Sequence, residues 1–248
     1  MVKIITPYYD PREIEKHKQI FWEYDIHYEQ DTAGIGSDLM FQQIWNKYPK
    51  EDIFILHADM DIYSSDWLEK VLYYVEKFPE AGMLGCLLLY PAKDLEGNHY
   101  IQSAGGKFTN SNPDHYGSGL VMENMQTFKP LEVDKGQYDN VREVSWTTFG
   151  GCYLRRSFIN SVGGFSPEYE WTYNRDVDFC LTARKAGQKI YQIPVRLLHH
   201  ESFINKRIKA QDPSKSAAEA RNLQKLKNKW SNTEWFDNIN TVIEEIND

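Results

Sequence analysis

Cysteine is scarce in this chain. Three occur in 248 residues, Cys86, Cys152 and Cys180, far apart and set in apolar stretches. That spacing excludes a disulfide framework and a cysteine-rich zinc site, and it predicts buried, reduced thiols in a cytosolic protein. Long apolar runs are missing as well, and none approaches the roughly 20 residues of a membrane span. Met1 leads directly into a strand-like run, so no secretory leader and a cytoplasmic location are expected. Positive charge is in deficit, with 28 Lys and Arg against 36 Asp and Glu and a net charge of -8. Phosphate backbones need a basic surface, so a general nucleic-acid binder is excluded. No internal repeat is visible.

What is present fits one large folded domain, or a domain plus a tail. Aromatic residues reach 14%, on the rich side. Their faces pack on sugar rings or nucleobases, and equally well in a core. The charge is uneven. Ser202 to Trp230 carries eight Lys or Arg against Asp212 and Glu219, about +6, which leaves about -14 elsewhere.

Strand and helix signals alternate. Val2 to Thr6 reads as a strand closed by Pro7, Arg12 to Trp22 as a helix, and Tyr24 to Tyr28 as a second strand. Ser37 is placed to cap a helix through Tyr48, and Asp66 to cap one carrying Trp67, Leu68, Val71, Leu72 and Val75 on one face. Asp52 to Leu56 and Gly82 to Tyr90 are apolar runs of buried-strand length. Pro91 to Val141 is polar and rich in turn residues, so loops and short strands are expected. Beyond a Gly150-Gly151 break, the spacing predicts a short helix from Ser157 to Gly163-Gly164 and another from Asp176 to Ala186. A strand from Lys189 closes at Pro194, Val195 to Leu198 leads into His199-His200, and Ser216 to Trp230 forms a basic helix followed by an acidic one. Such alternation predicts a doubly wound α/β sheet.

Three polar groups can carry chemistry. Asp59-Met60-Asp61 follows an apolar strand, where ligands collect in open α/β sheets. Two carboxylates there suit a hard divalent cation that neutralises a departing diphosphate. Equally, they suit a loop that caps the next helix. Asp176-Val177-Asp178 opens a helix, where aspartate serves either as cap or as a general base. His199-His200 follows a strand and can complete a metal site or simply sit in the surface or core.

Order and context single out one reading. Gly150-Gly151-Cys152-Tyr153-Leu154-Arg155-Arg156 is followed by Val162-Gly163-Gly164-Phe165, Asp176-Val177-Asp178, Arg184-Lys185-Ala186-Gly187, Ile193-Pro194 and His199-His200. Together they resemble the second half of family two glycosyltransferases. The first half is similar too, with a strand ending in Pro7-Tyr8, Asp59 and Asp61 after an apolar strand, Leu87 to Pro91, and Ile101-Gln102-Ser103-Ala104-Gly105-Gly106. The resemblance covers roughly residues 2 to 203.

It implies a GT-A fold: a Rossmann-like, mainly parallel sheet flanked by helices over residues 1–205, with a helical C-terminal extension over 206–248. By the same resemblance, Asp59 and Asp61 bind Mn²⁺ or Mg²⁺ together with the donor's diphosphate and ribose, Asp61 making the direct metal bond, and His199 joins the metal. Asp176 is the base of an inverting transfer from a nucleotide-sugar to a hydroxyl of a glycan or lipid-linked saccharide, as in polysaccharide biosynthesis. Gly150 and Gly151 admit a sugar close to the backbone, and Pro7, Tyr8 and Asp31 hold the nucleobase. The chain departs from relatives in four ways. The first half is short, the acidic signature after the second strand is indistinct, Arg175 replaces a glutamate, and His57 stands where a carboxylate is common. Arg175 could pair with Asp176 and lower its pKa, or bind an acidic acceptor or the diphosphate.

The alternative is a non-catalytic nucleotide-sugar or glycan-binding module of the same fold. A nucleotidyltransferase is disfavoured, because Thr6-Pro7-Tyr8-Tyr9-Asp10 lacks the glycine-rich, arginine-containing loop those enzymes carry. The basic C-terminal stretch has two readings. It lies on anionic lipid through Leu223, Leu226 and Trp230, or its apolar side packs on the domain.

Overall fold

The computed structural model describes residues 2–109, 112–115, 132–170, 173–200, 212, 214–230 and 240–245. Within them the chain begins β1 (Val2–Tyr8), α1 (Pro11–Ile20), β2 (Ile26–Gln30), α2 (Ser37–Lys47), β3 (Asp52–Ile55), β4 (Met60–Ile62) and α3 (Trp67–Lys77). A long β5 (Ala81–Lys93) follows, then β6 (His99–Ser103), β7 (Gly106–Thr109), β8 (Asn112–His115), β9 (Glu132–Val133), β10 (Arg142–Val144) and β11 (Cys152–Leu154). The remainder is α4 (Arg156–Val162), α5 (Arg175–Lys185), β12 (Lys189–His199), α6 (Ser214–Trp230) and β13 (Asn240–Val242).

The main sheet runs β13-β10-β12-β5-β11-β3-β1-β2. β2, β1 and β3 are mutually parallel, as are β5 and β12. β11 is antiparallel to both β3 and β5, so those two groups point the same way. The carboxyl ends of β1, β2, β3 and β12 therefore share one edge, and the start of β11 lies there too. Apolar Ile4, Ile53, Phe54 and Leu84 to Leu89 fill these strands because helices cover both faces. One face packs α2, α4, α5 and α6 through residues such as Phe41, Trp45, Phe158, Phe179, Leu226 and Trp230. The other packs Phe21, Trp67, Val71 and Phe78. Phe179 alone meets the rings of Trp45, Phe149, Phe158 and Phe165 at 5.0–5.8 Å. A fully buried ring of this kind contributes about 1.5–3 kcal/mol.

Local chemistry sets the boundaries. Asp10 caps α1 by accepting from the Arg12 N–H at 3.0 Å, Glu13 reaches back to the Asp10 N–H, and Pro11 opens the helix. Gly163, with φ 78°, ends α4 in the left-handed conformation that favours glycine. Several expectations shift. Ser37 is the first residue of α2, whose cap position is Gly36. Asp66 stands at the cap of α3 without bonding its amides, because its carboxylate is taken by Ser64 and Lys70. Pro194 does not close a strand: β12 runs through it, with a register shift against β5 between Ile193 and Arg196 that accommodates the missing N–H. The acidic C-terminal segment, expected as a helix, supplies β13, which pairs antiparallel with β10.

The expected boundary between residues 205 and 206 lies outside the described residues, as do Lys206, Arg207 and Lys209 of the basic stretch. In α6, Leu223, Leu226 and Trp230 are buried against the domain, so these side chains are not free to enter a lipid interface. No helix among the described residues is long and apolar enough to cross a membrane. All three cysteines are buried and unpaired, as expected.

Candidate metal and donor site

β3 delivers its chain to the shared edge, and Leu56 carries on to His57. There the backbone turns, with the Met60 N–H on the His57 carbonyl at 3.2 Å, and re-enters as β4. β4 pairs antiparallel with the end of β12, matching Met60 to His199 and Asp61 to Leu198. The His200 N–H closes this ladder on the Asp59 carbonyl at 3.0 Å. Segments about 140 residues apart are thereby fixed side by side.

Ligand atoms of His57, Asp59 and His199 all lie within 4.8 Å of one another. His199 Nε2 is 3.2 Å from Asp59 Oδ1. Its Nδ1–H donates to Gln102 Oε1, which fixes the ring with Nε2 facing the carboxylate. A ring nitrogen and a carboxylate oxygen at that distance need a cation or a proton between them. His57 stacks on Phe41 at 5.8 Å with planes 7° apart. Its Nε2 is buried and has no hydrogen-bond partner among the described residues. Burial pushes this imidazole down to about 4, so it is neutral near pH 7 and keeps a lone pair for a ligand. Two imidazoles and one carboxylate fit a divalent transition ion.

Asp61 is placed differently. Its Oδ2 sits 2.9 Å from Lys16 Nζ and 2.8 Å from His200 Nε2. Burial raises its pKa, but the hydrogen bonds from His200 and Lys16 outweigh that and hold it below the usual range. Of the expected metal residues, Asp59 and His199 thus come together, joined by His57, while Asp61 turns toward α1.

The paired glycines lie against this group. A Cβ at Gly150 would come 2.9 Å from Met60 Cε and 3.5 Å from His57 Nδ1. Gly151 has φ 71°, and a Cβ there would come 2.6 Å from Leu197 Cδ1. Pro7 and Tyr8 end β1 at the same edge, and the Tyr8 carbonyl accepts the Asp31 N–H at 2.7 Å. The buried Asp31 carboxylate accepts the Ile35 N–H at 3.0 Å and the Gly36 N–H at 2.8 Å, shaping the entry to α2.

Asp176 lies in the first turn of α5 and is half-buried. Its Oδ1 accepts the Val177 N–H at 2.9 Å. Burial raises the carboxyl to about 6, against the lowering effect of that amide. The charge of Asp176 reaches Cys152, the neighbour of Gly151. Arg175 does not act as the lowering partner: its guanidinium donates to the Tyr169 carbonyl, and Asp176 titrates high. Asp178 faces away and receives Trp230 Nε1 at 2.7 Å and Lys229 Nζ at 2.9 Å.

No family model and no curated protein matches this chain. Solved structures do. A crystal structure of GalNAc-T7 with UDP, GalNAc and Mn²⁺ superposes over 95% of the chain with TM-score 0.57 and 11% identity. The mannosyltransferase PcManGT from Pyrobaculum calidifontis, in complex with GDP-Man and Mn²⁺, covers 89% with TM-score 0.51 and 14% identity. The fold is GT-A. This GT-A chain spans 48% of the first structure's length and 64% of the second's.

Within the GT-A sheet, topology accounts for what the linear reading missed. Gln102 orients His199 from 97 positions away, and Lys16 meets Asp61 from 45. Neither has a local signal, since each depends on which elements the fold sets side by side. His57 was visible as a departure beside Asp59, and its neutral ring, whose Nε2 has no hydrogen-bond partner among the described residues, is what recommends it as a ligand.

Proposed function

We propose that this chain transfers a sugar from a nucleotide-sugar donor to a hydroxyl of a glycan or lipid-linked saccharide, with inversion and with a divalent cation. The observation that carries the reading is the His57, Asp59 and His199 donor set on the ligand-collecting edge of a GT-A sheet. These three residues would hold the cation, which when bound offsets the charge of the departing diphosphate. Two imidazoles among three ligands favour Mn²⁺ over Mg²⁺. Mn²⁺ in the two structural neighbours supports that choice. Asp59 would also meet the donor's diphosphate there, with Lys16 nearby on Asp61.

Asp176 acts as the base. A carboxyl titrating near 6 is mostly ionised at pH 7 yet a better proton acceptor than an ordinary aspartate. It takes the hydroxyl proton as the acceptor oxygen bonds to the anomeric carbon and the carbon–oxygen bond to the diphosphate breaks on the opposite face. The nucleoside diphosphate leaves with that electron pair.

The test is thermal unfolding with a panel of nucleoside diphosphates, with and without Mn²⁺, followed by product analysis. A ligand that binds only the folded chain raises its melting temperature. One nucleotide should stabilise the protein only with Mn²⁺, and the matching sugar donor should give a product of inverted configuration. Binding without transfer would leave the non-catalytic module as the reading, and a retained configuration would remove Asp176 from its role.

A further inference from the structure

We infer that Asn222 of α6 is a positioning residue for Asp176, holding the backbone of Glu170 and of Tyr173, whose left-handed turn leads into the carboxylate. The inference rests on the reading of Asp176 as the base.

The segment before Asp176 is strained. Tyr173 and Asn174 are consecutive non-glycine residues with φ 68° and 65°. Such a pair persists only where its surroundings over-determine it. Asn174 occupies the cap position of α5 without a side-chain bond to the helix, so the cap itself does not supply the restraint.

α6 supplies it instead. Asn222 is fully buried. Its Nδ2 donates to the Glu170 carbonyl at 2.6 Å and to the Tyr173 carbonyl at 3.3 Å, while its Oδ1 accepts the Glu170 N–H at 2.9 Å. One amide thus ties the backbone of Glu170 to that of Tyr173, the first of the left-handed pair. Around it, Arg221 and Lys225 pair with Glu170 at 2.6 and 2.9 Å, and Lys225 also donates to the Glu168 carbonyl at 2.7 Å. Beyond Asp176, Lys229 and Trp230 hold Asp178. Arg175 adds a bond back to the Tyr169 carbonyl. The start of α5 is therefore gripped on both sides of Asp176 by one helix, and Asn222 is the buried centre of the grip. Without it, the left-handed pair can relax, the carboxylate turns, and water reaches it.

The experiment compares Asn222→Ala with Leu223→Ala in the full chain. Leu223→Ala loosens the packing of the same helix and takes away no side-chain hydrogen bond. Both should lower the melting temperature. Only Asn222→Ala should lower kcat by tenfold or more with the donor KM within twofold, and move the Asp176 carboxyl titration, followed by carbon NMR, down from about 6. If Asn222→Ala does not fold, Arg221→Ala with Lys225→Ala removes the outer grip from the surface and should give a smaller loss of the same kind. Unchanged kcat and titration, or the same changes in Leu223→Ala, would overturn the inference. Absence of transfer by the wild type would overturn the base assignment instead, and Asn222 is then judged by the titration alone, which needs no turnover.

Discussion

Two aspartate pairs with the same spacing meet opposite fates for reasons of backbone geometry. Asp59 lies in the turn that feeds a three-residue strand and Asp61 within that strand, while Asp176 and Asp178 sit in the first turn of a helix. Neighbours two apart share a face on a strand and diverge by about 200° on a helix. Both aspartates of the first pair accordingly stay at the sheet edge, one facing His57 and His199, the other Lys16 and His200. The second pair separates completely: Asp176 keeps a raised pKa at the helix start, and Asp178 is driven into the interface with α6. In each pair one carboxylate is the one proposed for chemistry, and the other is tied to neighbouring side chains.

That division can be broken most sharply at Asp176. Asp176→Asn removes the base while preserving shape, and kcat should fall by about 10²- to 10⁴-fold with donor binding retained. A variant with more than a tenth of wild-type turnover would remove Asp176 from the mechanism. The pH profile should show the same group: transfer by the wild type declines below about pH 6 as Asp176 takes up a proton. The next largest effect lies in the first pair. Asp59→Ala should weaken Mn²⁺ binding by about 100-fold or more by calorimetry. Asp61→Ala, which breaks partly exposed ion pairs, should change it by less than about fivefold. Equal losses would restore Asp61 as a direct ligand. Gln102→Ala should cost about tenfold, through the tautomer of His199.

Much of this was legible in the residues themselves. Apolar runs such as Asp52 to Leu56 and Gly82 to Tyr90 mark buried parallel strands, because helices on both faces leave no position polar. Asp59 and His199 could be read as one edge once parallel strands were granted, whereas Gly150-Gly151 reach it only because β11 runs antiparallel to β3 and β5. Pairing across the fold could not. Nothing near Gln102 says that β6 will lie beside β5 and deliver an amide to His199. The course of β12 was misread at Pro194 because a proline ordinarily ends a strand, and only the bulge against β5 removes the conflict. The acidic C-terminal segment reads as a helix by composition, but the open edge of β10 offers Asn240 to Val242 backbone partners that outweigh that propensity.

The smallest expected effects concern stability, and in them the second pair should show opposite signs. Asp178→Ala removes the acceptor of the Trp230 N–H at 2.7 Å and the carboxylate 2.9 Å from Lys229, which keeps Glu168 at 3.7 Å, and should cost about 1–3 kcal/mol in urea unfolding. Asp176 works the other way. Burial raises its folded-state pKa from 3.8 to about 6, so the folded state binds its proton more tightly than the unfolded chain does. The resulting stability is fully present below about pH 4, is lost as pH rises through 6, and leaves the ionised carboxylate as a penalty at pH 7. Asp176→Asn removes that penalty. It should therefore stabilise the protein at pH 7–8 by about 1–2 kcal/mol, after allowance for the part of the side chain that water reaches, and should have little effect near pH 4. An inactive variant more stable than the wild type, with the gain vanishing in acid, is what a carboxylate held for catalysis at the expense of stability requires. A loss of stability at pH 7 would place Asp176 with Asp178, as a second anchor of the scaffold.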